Sequence, residues 1–442
     1  VHPEEAPPEP VRARHADPAA PAPRRPARTG VPRRPGGAGR PGAPPRAVAW
    51  LVLVVLTAAV AAAAGIALTW PSGPRSAQDP TEAGAVEFVT ARVVTSGWQT
   101  CEGTVEDVAP DGTVPTEVRC LRVTAEVGQD GDEARTVDVY ATAGLGPGDV
   151  PAGTRVVLER YPAADGQAEV WAWGDFARGV PLAAFAAVFA LLTVAVAGVR
   201  GLRALLGLVL AFGVLGGYLL PAVVAGEDAL VVALCASTAI VVTVLYLAHG
   251  VSSRTTTALV GTLAGLVLVT GLGVAGAALA HLQPVTSEDT FQLSRLLGDD
   301  GVDVLRAVYL CGVVLAGLGV LNDVTITQAS AVWELRAADP RAGVRQLFTR
   351  GMRIGRDHIA STVYTIAFAY AGASLPVLLL LEVYSQPLAR TLTSGAFAEE
   401  IVRTLAGAIG LVLAIPLTTA IAAVVASGTA HADVAAGRGH AH

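Results

Sequence analysis

The chain is 442 residues long, 52% hydrophobic and only 15% charged, with a formal net charge of −6. Soluble proteins carry about 25% charged residues, so charge is what this chain lacks. All 31 basic residues are arginine. Without lysine, a phosphate-loop NTPase, a Schiff-base aldolase and a pyridoxal enzyme are excluded, and the negative net charge gives no overall attraction for nucleic acid.

Residues 1–46 hold 13 Pro and nine Arg against four acids and show no hydrophobic period. Such a segment cannot bury enough apolar surface to offset its ordering entropy, and a disordered Arg/Pro-rich tail is expected. The run over residues 47–70 matches the about 20 residues that cross a hydrocarbon core about 30 Å thick. It exceeds a signal-peptide core and reads as a retained anchor. Further apolar runs cover residues 180–199, 204–224, 229–248, 256–280, 304–321, 359–381 and 402–426. The expected fold class is therefore a polytopic α-helical membrane protein of about eight transmembrane helices, seven of them within residues 179–426, followed by a tail over 427–442.

Residues 71–178 separate the first two runs. From residue 86 they alternate apolar and polar at period two, in "EFVTARVVTS", "EVRCLRVTAEV", "RTVDVYATA", "TRVVLERYP" and "AEVWAWGDF", with "PDGT", "GQDGD" and "GLGPGD" as turns. Five or six short strands predict a small β-barrel or sandwich of oligonucleotide-binding (OB-like) shape, which implies no nucleic-acid partner in a segment this acidic. Cys101 and Cys120 fall on its strands and form a candidate disulfide, with the bonded and free states both open. Cys235 and Cys311 sit in apolar runs as packing residues.

Charge sets the expected orientation. Residues 1–46 carry nine Arg against four acids, residues 71–178 eight Arg against 18 acids, and the loop over residues 283–303 five acids against one Arg. Residues 336–356 carry six Arg. Arginine-rich loops stay in the cytoplasm, which predicts both termini inside and the β domain outside.

A charge inside a span costs about 2.5–3.5 kcal/mol, so Asp323 is the leading candidate for function. Steps of three or four residues place Gly312, Ala316, Gly319, Asp323, Thr327, Ser330 and Glu334 on one helix face, a small-residue stripe running into a polar one. Asn322 and Gln328 widen the polar patch. The next run is entered through Arg356, Asp357 and His358, and carries Ser361, Thr362 and Thr365. Were the two helices antiparallel neighbours, Asp323 would be buried, paired with Arg356 or hydrogen-bonded to Ser361, Thr362 or Tyr364. The alternative is a membrane centre near residues 312–317, with Asp323 at the headgroups.

The segments "GLGVLNDVTITQASAVWELR" and "LFTRGMRIGRDHIASTVYTIAFAYAGASLP" resemble the YibE/F-like family of bacterial membrane proteins. That resemblance implies this architecture over residues 86–426 and a role in transport, without a substrate. "LNDVTITQASAVWELR" is also similar, more distantly, to the SecD/SecF translocation motors, which are related to proton-driven permeases. It implies a proton-carrying role for Asp323 and a partner role for Arg356. The eight spans and the β-rich outer module depart from that pattern.

The sequence contains no H-E-x-x-H, no G-x-S-x-G and no paired intramembrane aspartates. No enzymatic activity, cofactor or metal is expected. The reading is an ion-coupled (proton or sodium) transporter or export-assisting permease of the bacterial cell membrane. The alternative is a scaffold or sensor whose β domain binds an envelope component. Expected partners are the bilayer, a transported substrate, and a second copy or an envelope protein.

Overall fold

The structure, a computed structural model, describes residues 46–71, 86–104, 107, 112–128, 135–163, 168–283, 285–286, 288–296, 301–383 and 387–428. The tails expected over residues 1–46 and 427–442 lie outside these, apart from residues 46, 427 and 428.

Helix α1 (Arg46–Leu68) carries Leu51, Val55 and Ala62 on its buried face. Five strands follow: β1 (Glu87–Glu102), β2 (Glu117–Val127), β3 (Arg135–Tyr140), β4 (Arg155–Tyr161) and β5 (Val170–Phe176). They form one antiparallel sheet in the order β3-β2-β1-β4-β5. Alternate residues point into one core: Ala91 and Val93, Leu121, Val123 and Ala125, Val137 and Val139, Val156 and Leu158. The period-two pattern dictates this, since successive strand side chains face opposite ways. Register shifts at Val93/Thr95 and Val157/Leu158 mark irregularities of the kind that curl a sheet. The end strands β3 and β5 approach each other, and Arg135 reaches Glu169 at 3.1 Å across that gap. A disulfide joins Cys101 to Cys120 on β1 and β2, with Cα atoms 6.1 Å apart.

The helical part begins with α2 (Gly179–Val214), a π-helical turn (Leu215–Leu219) and α3 (Leu220–Val224). At Gly198 the backbone leaves the helix with φ 59° and ψ −139°, a conformation open to glycine alone. In the π turn, Tyr218 is buried, shares a 2.6 Å hydrogen bond with Thr69 and stacks on Trp70. Next come α4 (Ala229–His249), capped by the Asp228 carboxylate, and α5 (Ser253–Leu279), capped by the Ser252 hydroxyl. They are followed by α6 (Glu288–Leu296), α7 (Gly301–Ala338), α8 (Val344–Ala373), α9 (Leu375–Val383), α10 (Leu388–Leu392) and α11 (Gly395–Gly428).

Among the described residues, six helices are long and apolar enough to cross a membrane. The expected count of eight differs for two reasons. Runs 180–199 and 204–224 fall in one helical stretch, Gly179–Val224, interrupted at Gly198. Run 359–381 is divided between α8 and α9, and α8 opens with Arg345, Arg350, Arg353 and Arg356.

The helical core is α5, α7 and α11, packed through glycines. A Cβ on Gly265 would meet Leu321 at 2.7 Å, one on Gly317 would meet Val269 at 2.6 Å, and one on Gly276 would meet Val402 at 2.6 Å. Small residues at such crossings let apolar helices approach closely enough for dispersion to hold them.

Candidate functional site

Helix α7 has two faces. Val313, Val314, Gly317, Leu321, Thr325, Gln328 and Val332 are buried, whereas Gly319, Asp323, Thr327 and Glu334 are exposed. The stripe read from the sequence therefore shares one face, as 3.6 residues per turn require. It lies on the side away from α5, and Asp323 is 71% exposed rather than buried. Helical period fixes which residues share a face, not which face the neighbours cover.

Across from Asp323 stands His358 of α8, with Nε2 4.0 Å from Oδ2. Nε2 is itself buried and has no hydrogen-bond partner among the described residues. Arg356 and Asp357 are exposed. At about 100° per residue, Arg356 is turned about 200° from His358, so the imidazole takes the position expected for the guanidinium. Ser361 and Thr362 donate to the His358 carbonyl at 3.0 and 2.9 Å, and Thr365 donates to that of Ser361 at 3.1 Å. Thr327 likewise donates to the Asp323 carbonyl at 2.8 Å and Ser330 to that of Ile326 at 2.7 Å. These hydroxyls spend their protons on their own helices and keep lone pairs free. Asn322 leaves a buried Oδ1 without a partner.

Gln328 belongs to the opposite, packed face. Its Nε2 donates to the Gly351 carbonyl at 2.9 Å and to Thr419 Oγ1 at 2.7 Å, tying α7 to α8 and α11. Thr419 in turn donates to Ile415 O at 2.6 Å. Thr262 of α5 and Thr325 of α7 share a 2.6 Å hydrogen bond. Gly351 and Gly355 admit α8 to this contact, and a Cβ on Gly355 would meet Ile415 at 2.6 Å and the Gln328 amide at 3.2 Å.

A second polar group, centred on α11, was not singled out from the sequence. On α11, Arg403 donates from Nη2 to Glu399 at 2.5 Å and from Nη1 to Glu400 at 2.8 Å. Its guanidinium lies 5.8 Å from the Tyr309 ring of α7. Between this cluster and Asp323, a cavity of about 10 Å³, space for roughly one water, is lined by Ala316, Val320, Ile366, Tyr370, Arg403 and Gly407. The i, i+3, i+4 spacing of Glu399, Glu400 and Arg403 within an otherwise apolar helix was the available signal.

The YibE/F-like protein family model matches residues 185–428, more than half of the chain and including all of α7, α8 and α11. No curated protein and no solved structure matches, so the more distant resemblance to SecD/SecF gains no support. The matched span contains the Asp323–His358 pair, the Gln328 tie and the glycine-packed core, and the chain belongs to the YibE/F-like protein family.

Proposed function

We propose that the protein is an ion-coupled secondary transporter or export-assisting permease of the bacterial cell membrane, driven by protons that Asp323 takes up and releases. The observation that carries this reading is the exposed Asp323 carboxylate on α7, with Oδ2 4.0 Å from Nε2 of the His358 imidazole. Arg306 and Arg336 flank the apolar part of α7, about 45 Å apart at 1.5 Å per residue. A core about 30 Å thick fits between them, and Asp323, about 20 Å from Arg336, falls inside it at either limit of placement. An exposed carboxylate there costs about 2.5–3.5 kcal/mol unless water or protons reach it. Facing an imidazole favours proton over sodium, since sodium takes oxygen ligands and is repelled by a protonated ring.

The same reading has eight crossings. Gly198 divides Gly179–Val224 into two runs, each of about the length of one crossing, and α8 with α9 supplies another. Both termini then lie in the cytoplasm and the sheet outside. The strand order β3-β2-β1-β4-β5, with its ends in contact, supports an OB-like barrel.

Proton flux in proteoliposomes tests the proposal. Asp323→Asn should lower imposed-gradient flux at least ten-fold while leaving the protein folded. Unchanged flux overturns it, and together with loss of function on deleting residues 80–177 it would favour the scaffold or sensor reading.

A further inference from the structure

The Glu399–Glu400–Arg403 cluster is built unequally. Glu399 has both oxygens engaged, one by Arg403 and the other by the Thr286 hydroxyl at 3.1 Å. Glu400 has one oxygen held by Arg403, while Oε1 is buried without a hydrogen-bond partner among the described residues. Two further polar atoms of the cluster share that condition: Nε of Arg403, and the hydroxyl of Tyr309, a residue only 7% exposed. An acceptor, an N–H donor and a hydroxyl left unpaired in one cluster form a site for water and its proton, since buried polar groups without partners otherwise cost stability.

The cluster borders α7 on the side of Asp323. Arg403 lies against Gly312, where a Cβ would be 3.5 Å from its Nε. The water-sized cavity touches Arg403 and Tyr370 on one side and Val320, one helical turn from Asp323, on the other. A cavity this small has no room for a hydrated cation or an organic substrate, whereas one water in it can relay a proton.

We propose that Glu400, held by Arg403 beside Tyr309, is the proton-loading site at the far end of the track that terminates on Asp323. This assignment rests on the transport reading above. A proton from water outside adds to Glu400 Oε1, and the neutral carboxyl loosens from Arg403, which Glu399 retains. The proton then passes by water in the cavity to the Asp323 carboxylate, and Glu400 returns to Arg403. The charged and titratable groups facing Glu400 are Glu399 and Arg403 on α11, Tyr309 on α7 and Tyr370 on α8. Helix α5 packs Gly276 on Val402 nearby.

The test uses the full chain in proteoliposomes, with a lumenal pH dye for flux and infrared difference titration for carboxyl protonation. Glu400→Gln should lower flux at least ten-fold and remove one carboxyl band, and Asp323→Asn should remove a different band. Glu400→Asp, which keeps a carboxylate for Arg403, should shift the flux-against-pH midpoint rather than abolish flux. Wild-type flux and an unchanged carboxyl titration in Glu400→Gln, with Asp323→Asn inactive, would overturn this assignment alone. Wild-type flux in Asp323→Asn would remove the transport reading itself. Should Glu400→Gln fail to fold, an unshifted midpoint in Glu400→Asp overturns the assignment equally.

Discussion

Gly355 is the point where α8 is held against α11 and the Gln328 amide, and Gly355→Val tests that contact. The Cβ alone would stand 2.6 Å from Ile415 Cγ2 and 3.2 Å from Gln328 Nε2 and Oε1. Carbon atoms rest about 3.5–4.0 Å apart, so α8 must back away by about 1 Å, before the two methyl groups of valine are counted. Overpacking of this kind costs about 1–3 kcal/mol. His358 lies three residues along on the same face, so the displacement widens its 4.0 Å separation from Asp323. Unfolding in mixed micelles should show the stability loss, and flux should fall several-fold. Gly271→Ala, where nothing lies within 4 Å of the new Cβ, should leave both unchanged. If Gly355→Val unfolds within about 0.5 kcal/mol of wild type and keeps its flux, the close approach of α8 to α11 is refuted.

Further predictions concern the polar tie and the sheet. Gln328→Leu removes two hydrogen bonds between helices, each worth about 0.6 kcal/mol in a membrane protein, and should lower unfolding free energy by about 1 kcal/mol; an unchanged value would mean the amide makes no net contribution. Thiol labelling of the unfolded, unreduced protein should modify Cys235 and Cys311 only, and Cys101→Ser should destabilise the sheet by about 3 kcal/mol, as for a closed loop of about 15 residues. Labelling of all four cysteines without reductant contradicts the pairing. The Asp138 carboxyl is held below the usual carboxylate range, first by the Arg122 hydrogen bond and then by that of Thr124 at 2.6 Å. Its stabilisation is therefore present above the unfolded carboxylate range and is lost as pH falls through the lowered folded value. Arg122→Gln should move the Asp138 carboxyl resonance midpoint upward toward about 3.9, and an unmoved midpoint would show that Arg122 does not hold it.

The local pattern was legible where each residue's environment follows from its own neighbours. The five strands fall on the period-two segments, and Cys101 and Cys120 lie on paired strands. The Asp323 stripe also shares a face. What covers a face depends on tertiary packing, which explains why Gln328 proved buried while Asp323 is exposed. His358 rather than Arg356 meets Asp323 because two residues of helix reverse the direction of a side chain. Glu399 and Glu400 lie just before the apolar run that starts at residue 402, because hydropathy trims charged helix ends, and without them Arg403 has no visible partner. Thr262 and Thr419 are buried yet carry little sequence signal, since threonine satisfies its hydroxyl on its own helix backbone.

The most direct test of the central claim is proton flux through proteoliposomes for wild type, Asp323→Asn, His358→Gln and the double variant. Two groups acting as one site predict that each single change lowers flux and that the double variant is no worse than Asp323→Asn alone. Wild-type flux in Asp323→Asn, with the protein folded, would contradict the account.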